Sequence, residues 1–283
     1  MKKVILTEVW GDVTRIVADD LRSHGVEVLE MTPATQDEAF IHRLQKMVSQ
    51  TGADAVLPIF KPEWLAMHKD ELPSAVLVPV ADAATILRLD NKVSACALAD
   101  GLGIEQPRIH SDYDAIGSFP VVFKRAAGLS GSGVYFPKTR EALNNLVVKS
   151  RPGEFLVMDY VDGEDWSVDA LRWGDFFYAA AYKVLEKRGK GMSCRRVSVD
   201  APELVETARR ILEHADYQGV CGVDFRITPS GKALFLECNP RFSGGLESAI
   251  RSGFDIPWLL CRLAAGESIS PADIAFTPGV ETR

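Results

Sequence analysis

Asp224, Glu237, Asn239 and Arg241 are the residues whose types and spacing most directly suggest chemistry. The last three alternate within "LFLECNPRFSGG" (234–245), so a strand there carries them on one face. "GVDFRI" precedes this stretch across a Pro-Ser-Gly turn. A hairpin centred between Ser230 and Gly231 sets Asp224 directly opposite Glu237. Facing carboxylates repel unless something compensates. A hard divalent cation does so, and two carboxylates with the amide oxygen of Asn239 form a set suited to Mg²⁺. Arg241 adds a planar fork for phosphate or carboxylate oxygens. A guanidinium beside such a metal site predicts phosphoryl chemistry. For Glu237 alone, a lysine partner on an edge strand is an equal explanation. The four residues together favour the metal.

Two further stretches fit the same chemistry. "FPVVFKRAAGLSGSGV" ends a strand at Lys124 and enters a glycine-rich turn, whose backbone N–H groups can converge on phosphate oxygens. It is neither a Walker loop nor a dinucleotide fingerprint, because a strand follows it rather than a helix. A plain hairpin turn is the alternative, and Lys124 at the strand end weighs against it. In "VMDYVDGEDWSVD" the strand 156–160 can offer its backbone to an adenine edge, with Gly163 turning the chain and Asp165 facing ribose hydroxyls.

The elements that position these residues follow from periodicity. In the first third, "KKVILT", "VEVLEM", "ADAVLPI" and "SAVLVPV" read as strands separated by helices from Asp12, from a Thr35–Glu38 capping box and around Pro62–His68. Such alternation predicts a parallel sheet covered on both faces. Asp90 reads as the cap of a helix ending at Leu102–Gly103. "FPVVFK" and "VYF" are strands and 140–149 is a helix. "WSVDALRW" and "FFYAAAYKV" flank Gly174-Asp175 as a hairpin, 186–196 reads as a basic loop, and a helix spans Pro202–Ala215.

The chain has 283 residues, 47% apolar and 25% charged, with a net charge of −7 and a pI near 5.4. An acidic chain of this kind excludes a nucleic-acid groove or an anionic membrane surface. No apolar run approaches the ~20 residues of a membrane helix. The opening "MKKVILTEVWGD" has no signal-type apolar core, which predicts a cytoplasmic protein. The five cysteines show no C-x-x-C spacing and the five histidines are scattered, so free thiols and no zinc site are expected. Cys194, between Ser193 and Arg195-Arg196, lacks the spacings that mark a nucleophile.

Taken together these residues resemble the ATP-grasp superfamily, in the branch near carbamoyl-phosphate synthetase and small carboxylate–amine ligases. "DNKVSACALADGLGIEQPR" is similar to its Asp-x-Lys helix, "FPVVFK…GLSGSGV" to its lid hairpin, "MDYVDGEDWSVD" to its adenine hinge and "GVDFRI…LFLECNPRFSGG" to its metal-binding core. The resemblance spans 2–267, and E-x-N-P-R is its most specific part. It implies a mixed α/β and α+β architecture: an N-terminal parallel α/β (pre-ATP-grasp) domain (1–89), a helical linker with a small lid domain (90–157) and a C-terminal antiparallel sheet domain that binds metal and ATP (158–283). It implies ATP and Mg²⁺, with Mn²⁺ as a substitute. Lys92 and Lys124 meet phosphates, and Gly128, Ser130, Gly131, Ser132 and Gly133 close over them. Asp159, Tyr160 and Val161 form the adenine hinge, and Asp165 meets the ribose. Asp224, Glu237 and Asn239 hold metal, and Arg241 faces the transferred group.

Arg125 after Lys124, Asp159 and Asp165 in place of glutamates, and a shifted loop glycine depart from the family pattern. The implied reaction turns a carboxylate into an acyl phosphate, which an amine attacks. Bicarbonate activation to carboxyphosphate or carbamoyl phosphate, or a regulatory module that only binds ATP, are the alternatives. Arg188 in "EKRGKGMSCRR" is the first candidate anchor for the acceptor carboxylate, ahead of Lys190 and Arg195. Glu8 and Asp12, beyond the first strand, are candidates to receive the amine. The expected partners are a small-molecule carboxylate and amine and a second copy of the chain in a homodimer.

Overall fold

The computed structural model describes residues 1–7, 11–31, 38–128, 133–188 and 192–282, with the backbone alone at 38, 188, 192 and 194. The Thr35–Glu38 capping box lies outside the described residues.

The N-terminal unit is a parallel sheet of order β2-β1-β3, formed by β1 (Lys3–Thr7), β2 (Glu27–Met31) and β3 (Ala55–Pro58). Helices α1 (Gly11–Ser23), α2 (Glu38–Thr51) and α3 (Pro62–His68) cover it, the apolar stripes of α1 and α2 entering separate cores on its two faces. "SAVLVPV" is not a fourth strand. Leu77 makes a single parallel bridge to Ala55, and the flanking Pro73 and Pro79 lack the N–H groups that a longer ladder needs.

Two short helices follow where one was expected. Helix α4 (Ala83–Asp90) is capped by Asp82, whose side chain accepts from Thr85 N. Helix α5 (Lys92–Gly101) is capped by Asn91, which accepts from Val93 N and Ser94 N. Asp90 therefore ends one helix rather than starting the next, because the amide beside it satisfies the free N–H groups equally well. The break sets Lys92 at the first position of α5.

A second sheet, β4-β7-β5-β6, comprises β4 (Ile109–His110), β5 (Val121–Arg125), β6 (Val134–Tyr135) and β7 (Phe155–Asp159), with α6 (Arg140–Val147) packed on it through Leu143. The largest sheet has the order β12-β11-β8-β9-β10-β13. Its strands are β8 (Glu164–Trp173), β9 (Phe176–Arg188), β10 (Met192–Val199), β11 (Gly219–Ile227), β12 (Ala233–Asn239) and β13 (Glu281–Thr282). One face packs Val168, Val223, Phe225 and Phe235 against α5 and α7 (Pro202–His214). Each buried phenylalanine contributes roughly 1.5–3 kcal/mol. The other face meets α1, α8 (Leu246–Arg251) and α9 (Ile256–Ala264) at its lower end and leaves its upper end open to a cavity.

The stretch 186–196 is not a basic loop: it forms the paired ends of β9 and β10, with 189–191 outside the described residues. Its charges are tolerated in a ladder because they find partners across strands, as Arg195 does with Glu186 and Glu281. Cys96, Cys221, Cys238 and Cys261 are buried and unbridged, and the side chain of Cys194 lies outside the described residues. None of the described helices is long and apolar enough to cross a membrane.

Candidate active site

Strands β11 and β12 supply the acid pair through a break in their register. Near the turn, Ile227 faces Ala233 and Phe225 faces Phe235. One step on, Asp224 faces Glu237, so Leu236 is an extra residue bulged out of β12. The bulge brings Leu236 and Glu237, though consecutive, to the wall of one cavity. It also turns the Leu236 carbonyl to accept from Lys124 Nζ at 3.2 Å.

Two buried lysines converge on Glu237. Lys124 Nζ lies 3.2 Å and Lys92 Nζ 3.7 Å from the same Oε2. Lys92 is held by its place at the start of α5 and also donates to Gly128 O at 3.3 Å. The lysine partner weighed for Glu237 thus exists, and it consists of the two residues assigned to phosphates. Burial opposes ionisation of Glu237, but Lys124 and Lys92 outweigh it and hold the carboxyl below its ordinary range. Asp224 has no lysine so close. Burial and the neighbouring Glu237 push it up to about 7.

The polar chain continues along the same face. Asn239 Nδ2 donates to Asp224 Oδ2 at 3.0 Å, and Arg241 donates to Asn239 Oδ1 at 3.0 Å. The Arg241 guanidinium lies 5.4 Å from the Phe60 ring centroid, and its Nε finds no partner among the described residues. A buried arginine with a spare donor, beside an acid pair in which one member is disfavoured as an anion, fits an anionic ligand carried with a hard divalent cation. The donors are all oxygens, which suits Mg²⁺ or Mn²⁺.

These residues close one end of a 240 Å³ cavity between the second sheet and the largest sheet. The other end is apolar, lined by Val122, Val134, Phe136, Met158 and Val161. Asp159, Tyr160 and Val161 border that end; Asp159 pairs with His110 at 2.7 Å, and Tyr160 meets the edge of Phe136 at a centroid distance of 6.0 Å. Gly163 has φ +143°, and a Cβ there would lie 2.2 Å from Ile227 O, so this turn admits only glycine. Asp165 lines the cavity but is clasped by Lys187 Nζ at 2.5 Å and Arg226 at 3.1 Å. Gly128 and Gly133 bound the loop between β5 and β6. Ser130, Gly131 and Ser132 lie outside the described residues, as do the side chain of Arg188, Lys190 and Glu8. Asp12 is an exposed residue in the first turn of α1 and does not line the cavity.

Sequence reasoning missed Arg196, Asp169 and Lys187. Arg196 and Asp169 form a 2.7 Å ion pair with both side chains only 3% exposed, on the cavity floor. Arg196 also donates to Ser167 Oγ at 2.9 Å and to Gly245 O, and lies 4.2 Å from the Tyr182 ring centroid. A Cβ at Gly245 would overlap this guanidinium, so glycine there lets Arg196 keep its present position. Arg195, named as an anchor, points away to Glu186 and Glu281. Strand alternation applied to "SCRRVSV" separates the two arginines; reading the stretch as loop hid that signal.

The fold has solved counterparts. The biotin carboxylase domain of the Hydrogenobacter thermophilus 2-oxoglutarate carboxylase superposes with a TM-score of 0.79 at 17% identity, over 98% of this chain and 73% of that one. An L-amino acid ligase from Bacillus licheniformis gives 0.77 at 14% identity, over 98% and 78%. N5-carboxyaminoimidazole synthase from Aspergillus clavatus gives 0.75 at 12% identity, over 96% and 79%. A family model described as "ATP-grasp in the biosynthetic pathway with Ter operon" matches residues 151–282. The chain thus shares the fold of these solved proteins, and its C-terminal part matches an ATP-grasp family model. A search of curated protein sequences returns no match. The stretch matched by the family model contains the acid hairpin, Arg241 and the Arg196–Asp169 pair.

Proposed function

We propose that the chain is a Mg²⁺- and ATP-dependent ligase that activates a small-molecule carboxylate as an acyl phosphate and joins it to an amine, releasing ADP and phosphate. The observation that carries this reading is the convergence of Lys92, Lys124 and Arg241 on the Asp224–Glu237 pair, at one end of a cavity whose other end is apolar. Lys92 and Lys124 exchange Glu237 for triphosphate oxygens. Met158, Val161 and the hinge backbone from Asp159 enclose adenine, with Asp165 toward the ribose. Asp224, Glu237 and Asn239 would hold magnesium, which would supply neutralisation of phosphate charge. Arg241 stabilises the negative charge of the transferred group through its spare Nε donor. Gly128 and Gly133, with Ser130, Gly131 and Ser132 between them, shut water away from the acyl phosphate.

The acceptor carboxylate lies past Arg241, where Gly244 and Gly245 leave room. Arg188 remains a candidate anchor there, and Arg196 beneath it adds positive potential. Buried, unbridged thiols support a reducing cytoplasm. A homodimer is supported by the similar Hydrogenobacter domain, which is described as a dimer.

The test is ADP release by the purified chain with Mg²⁺ across a panel of carboxylates and amines, with hydroxylamine to trap the acyl phosphate as a hydroxamate. Turnover that requires both an acid and an amine supports the ligase. The Hydrogenobacter domain is described as bound to MgADP and bicarbonate. ADP release stimulated by bicarbonate without any other acid therefore replaces the ligase with a carboxyphosphate-forming enzyme. Tight ATP binding with no turnover under any condition reduces the chain to a binding module.

A further inference from the structure

Helices α1 and α9 bring together three side chains that the reaction above does not use. Asp20 lies near the end of α1, His24 follows the helix, and Asp255 is the N-cap of α9. One donor atom from each lies within 4.8 Å of the other two. His24 Nε2 already sits 2.7 Å from Asp255 Oδ2, and its ring is stacked on Trp258 at 4.7 Å and 8°, which fixes the imidazole plane. Asp20 is only 9% exposed, and its Oδ2 has no hydrogen-bond partner among the described residues. A buried carboxyl oxygen without a hydrogen-bond partner is relieved either by a proton or by a cation. Among the described residues the His24 ring contacts Asp255, and no lysine or arginine is paired with Asp20.

We propose that Asp20, His24 and Asp255 bind a divalent first-row transition ion, such as Zn²⁺ or Mn²⁺, at a site separate from the ATP cavity. One imidazole nitrogen and two carboxylate oxygens form a set that such ions accept, with water completing the shell. Metal–ligand bonds of about 2.0–2.2 Å set donor atoms roughly 3–4 Å apart, so only small side-chain rotations separate the present cluster from a closed site. Asp20 and His24 belong to the N-terminal unit and Asp255 to the C-terminal helices. The ion therefore staples the unit that carries β1 and α1 to the body that carries the acid hairpin, and stabilises the folded state by mass action. A proton shared between Asp20 and Asp255 is the competing way to relieve the same repulsion.

The experiment titrates the EDTA-stripped full chain with ZnCl₂, and separately MnCl₂, by calorimetry at pH 7.5 without nucleotide, alongside thermal melts. The expected result is one saturable equivalent of at least one ion, and a higher melting temperature with that ion. Both effects fall by about tenfold in affinity or vanish in His24→Ala and in Asp20→Asn, and both persist in Asp224→Asn. Binding that is unchanged in His24→Ala and Asp20→Asn, or no saturable binding by either ion, overturns the proposal. Asp20→Asn that melts higher than the parent while neither ion binds overturns it in favour of the shared proton. The result is independent of the ligase reading, because no step of the readout uses turnover.

Discussion

Asp224 and Glu237 face each other across β11 and β12 one residue past a bulge at Leu236, and they differ in charge preference although they share a face. The difference has a simple origin. Lys92 and Lys124 both reach Glu237, whereas the partner nearest Asp224 is the neutral amide of Asn239. The pair is thus poised between an acid that is already compensated and one that waits for a cation.

That asymmetry predicts a pH-dependent effect of metal on stability. Asp224 is raised from 3.8 to about 7, so the folded protein holds a proton that the unfolded chain has lost. The metal-free fold therefore loses stability as pH rises from about 4 through about 7, and the loss is complete above that. Glu237, held below 4.5, is ionised from pH 5.5 to 8 and adds no slope there. Magnesium with a non-hydrolysable ATP analogue should raise the melting temperature more at pH 8 than at pH 5.5. Asp224→Asn should erase the difference. A gain that is the same at both pH values in the parent protein contradicts the assignment.

Glu237→Gln should separate stability from turnover. The substitution leaves two buried lysines without their shared counter-ion, and breaking a buried pair in this way costs about 3–5 kcal/mol. Triphosphate oxygens supply the missing charge, so ATP without metal should stabilise the variant more than the parent protein, measured by thermal melts. ADP release should fall by about 100-fold or more, because one metal carboxylate is gone.

How far the sequence alone reached can be read from these same residues. Alternation in "LFLECNPRF" correctly grouped Glu237, Asn239 and Arg241, since a strand leaves little freedom over which side chains share a face. The facing of Asp224 and Glu237 was also legible, but through a compensation. The pairing next to the turn is offset from the one assumed, and the bulge at Leu236 restores the expected partner. No residue type announces that bulge. Arg196 and Asp169 stayed hidden because a buried ion pair between strands distant in sequence has no local pattern. The run "EKRGKGMSCRR" also reads as solvated charge until the partners Glu186, Glu281 and Asp169 are seen. The helix break at Asn91 was missed for a related reason: Asp90 and Asn91 are both good caps, and only tertiary packing chooses between them.

Gly163→Ala should disturb the hinge without touching any ligand group. At φ +143° an alanine is strained, and its Cβ would overlap the Ile227 carbonyl, which belongs to backbone and cannot swing aside. The turn also receives Arg226, whose guanidinium donates to Gly163 O at 2.9 Å and pairs with Asp165. A loss of about 2 kcal/mol or more is expected by urea denaturation. The KM for ATP should rise, because Tyr160 and Val161 are carried by the same turn.

The Arg196–Asp169 pair permits the most stringent test of what the cavity floor does. Arg196→Met leaves Asp169 charged in a site where both partners are 3% exposed, and should cost about 3–5 kcal/mol. Asp169→Asn leaves Arg196 with Ser167 and the Gly245 carbonyl as partners and should cost less. The double variant, Arg196→Met with Asp169→Asn, removes both charges and should recover part of the loss. The interaction energy from that cycle is expected at about 1–3 kcal/mol in urea unfolding. Kinetics then separate a structural floor from a substrate anchor. If Arg196 only braces Asp169 and Gly245, the recovered double variant regains its KM for the acceptor carboxylate together with its stability. If its positive potential draws that carboxylate past Arg241, stability returns while KM stays high by tenfold or more, about 1.4 kcal/mol of lost binding.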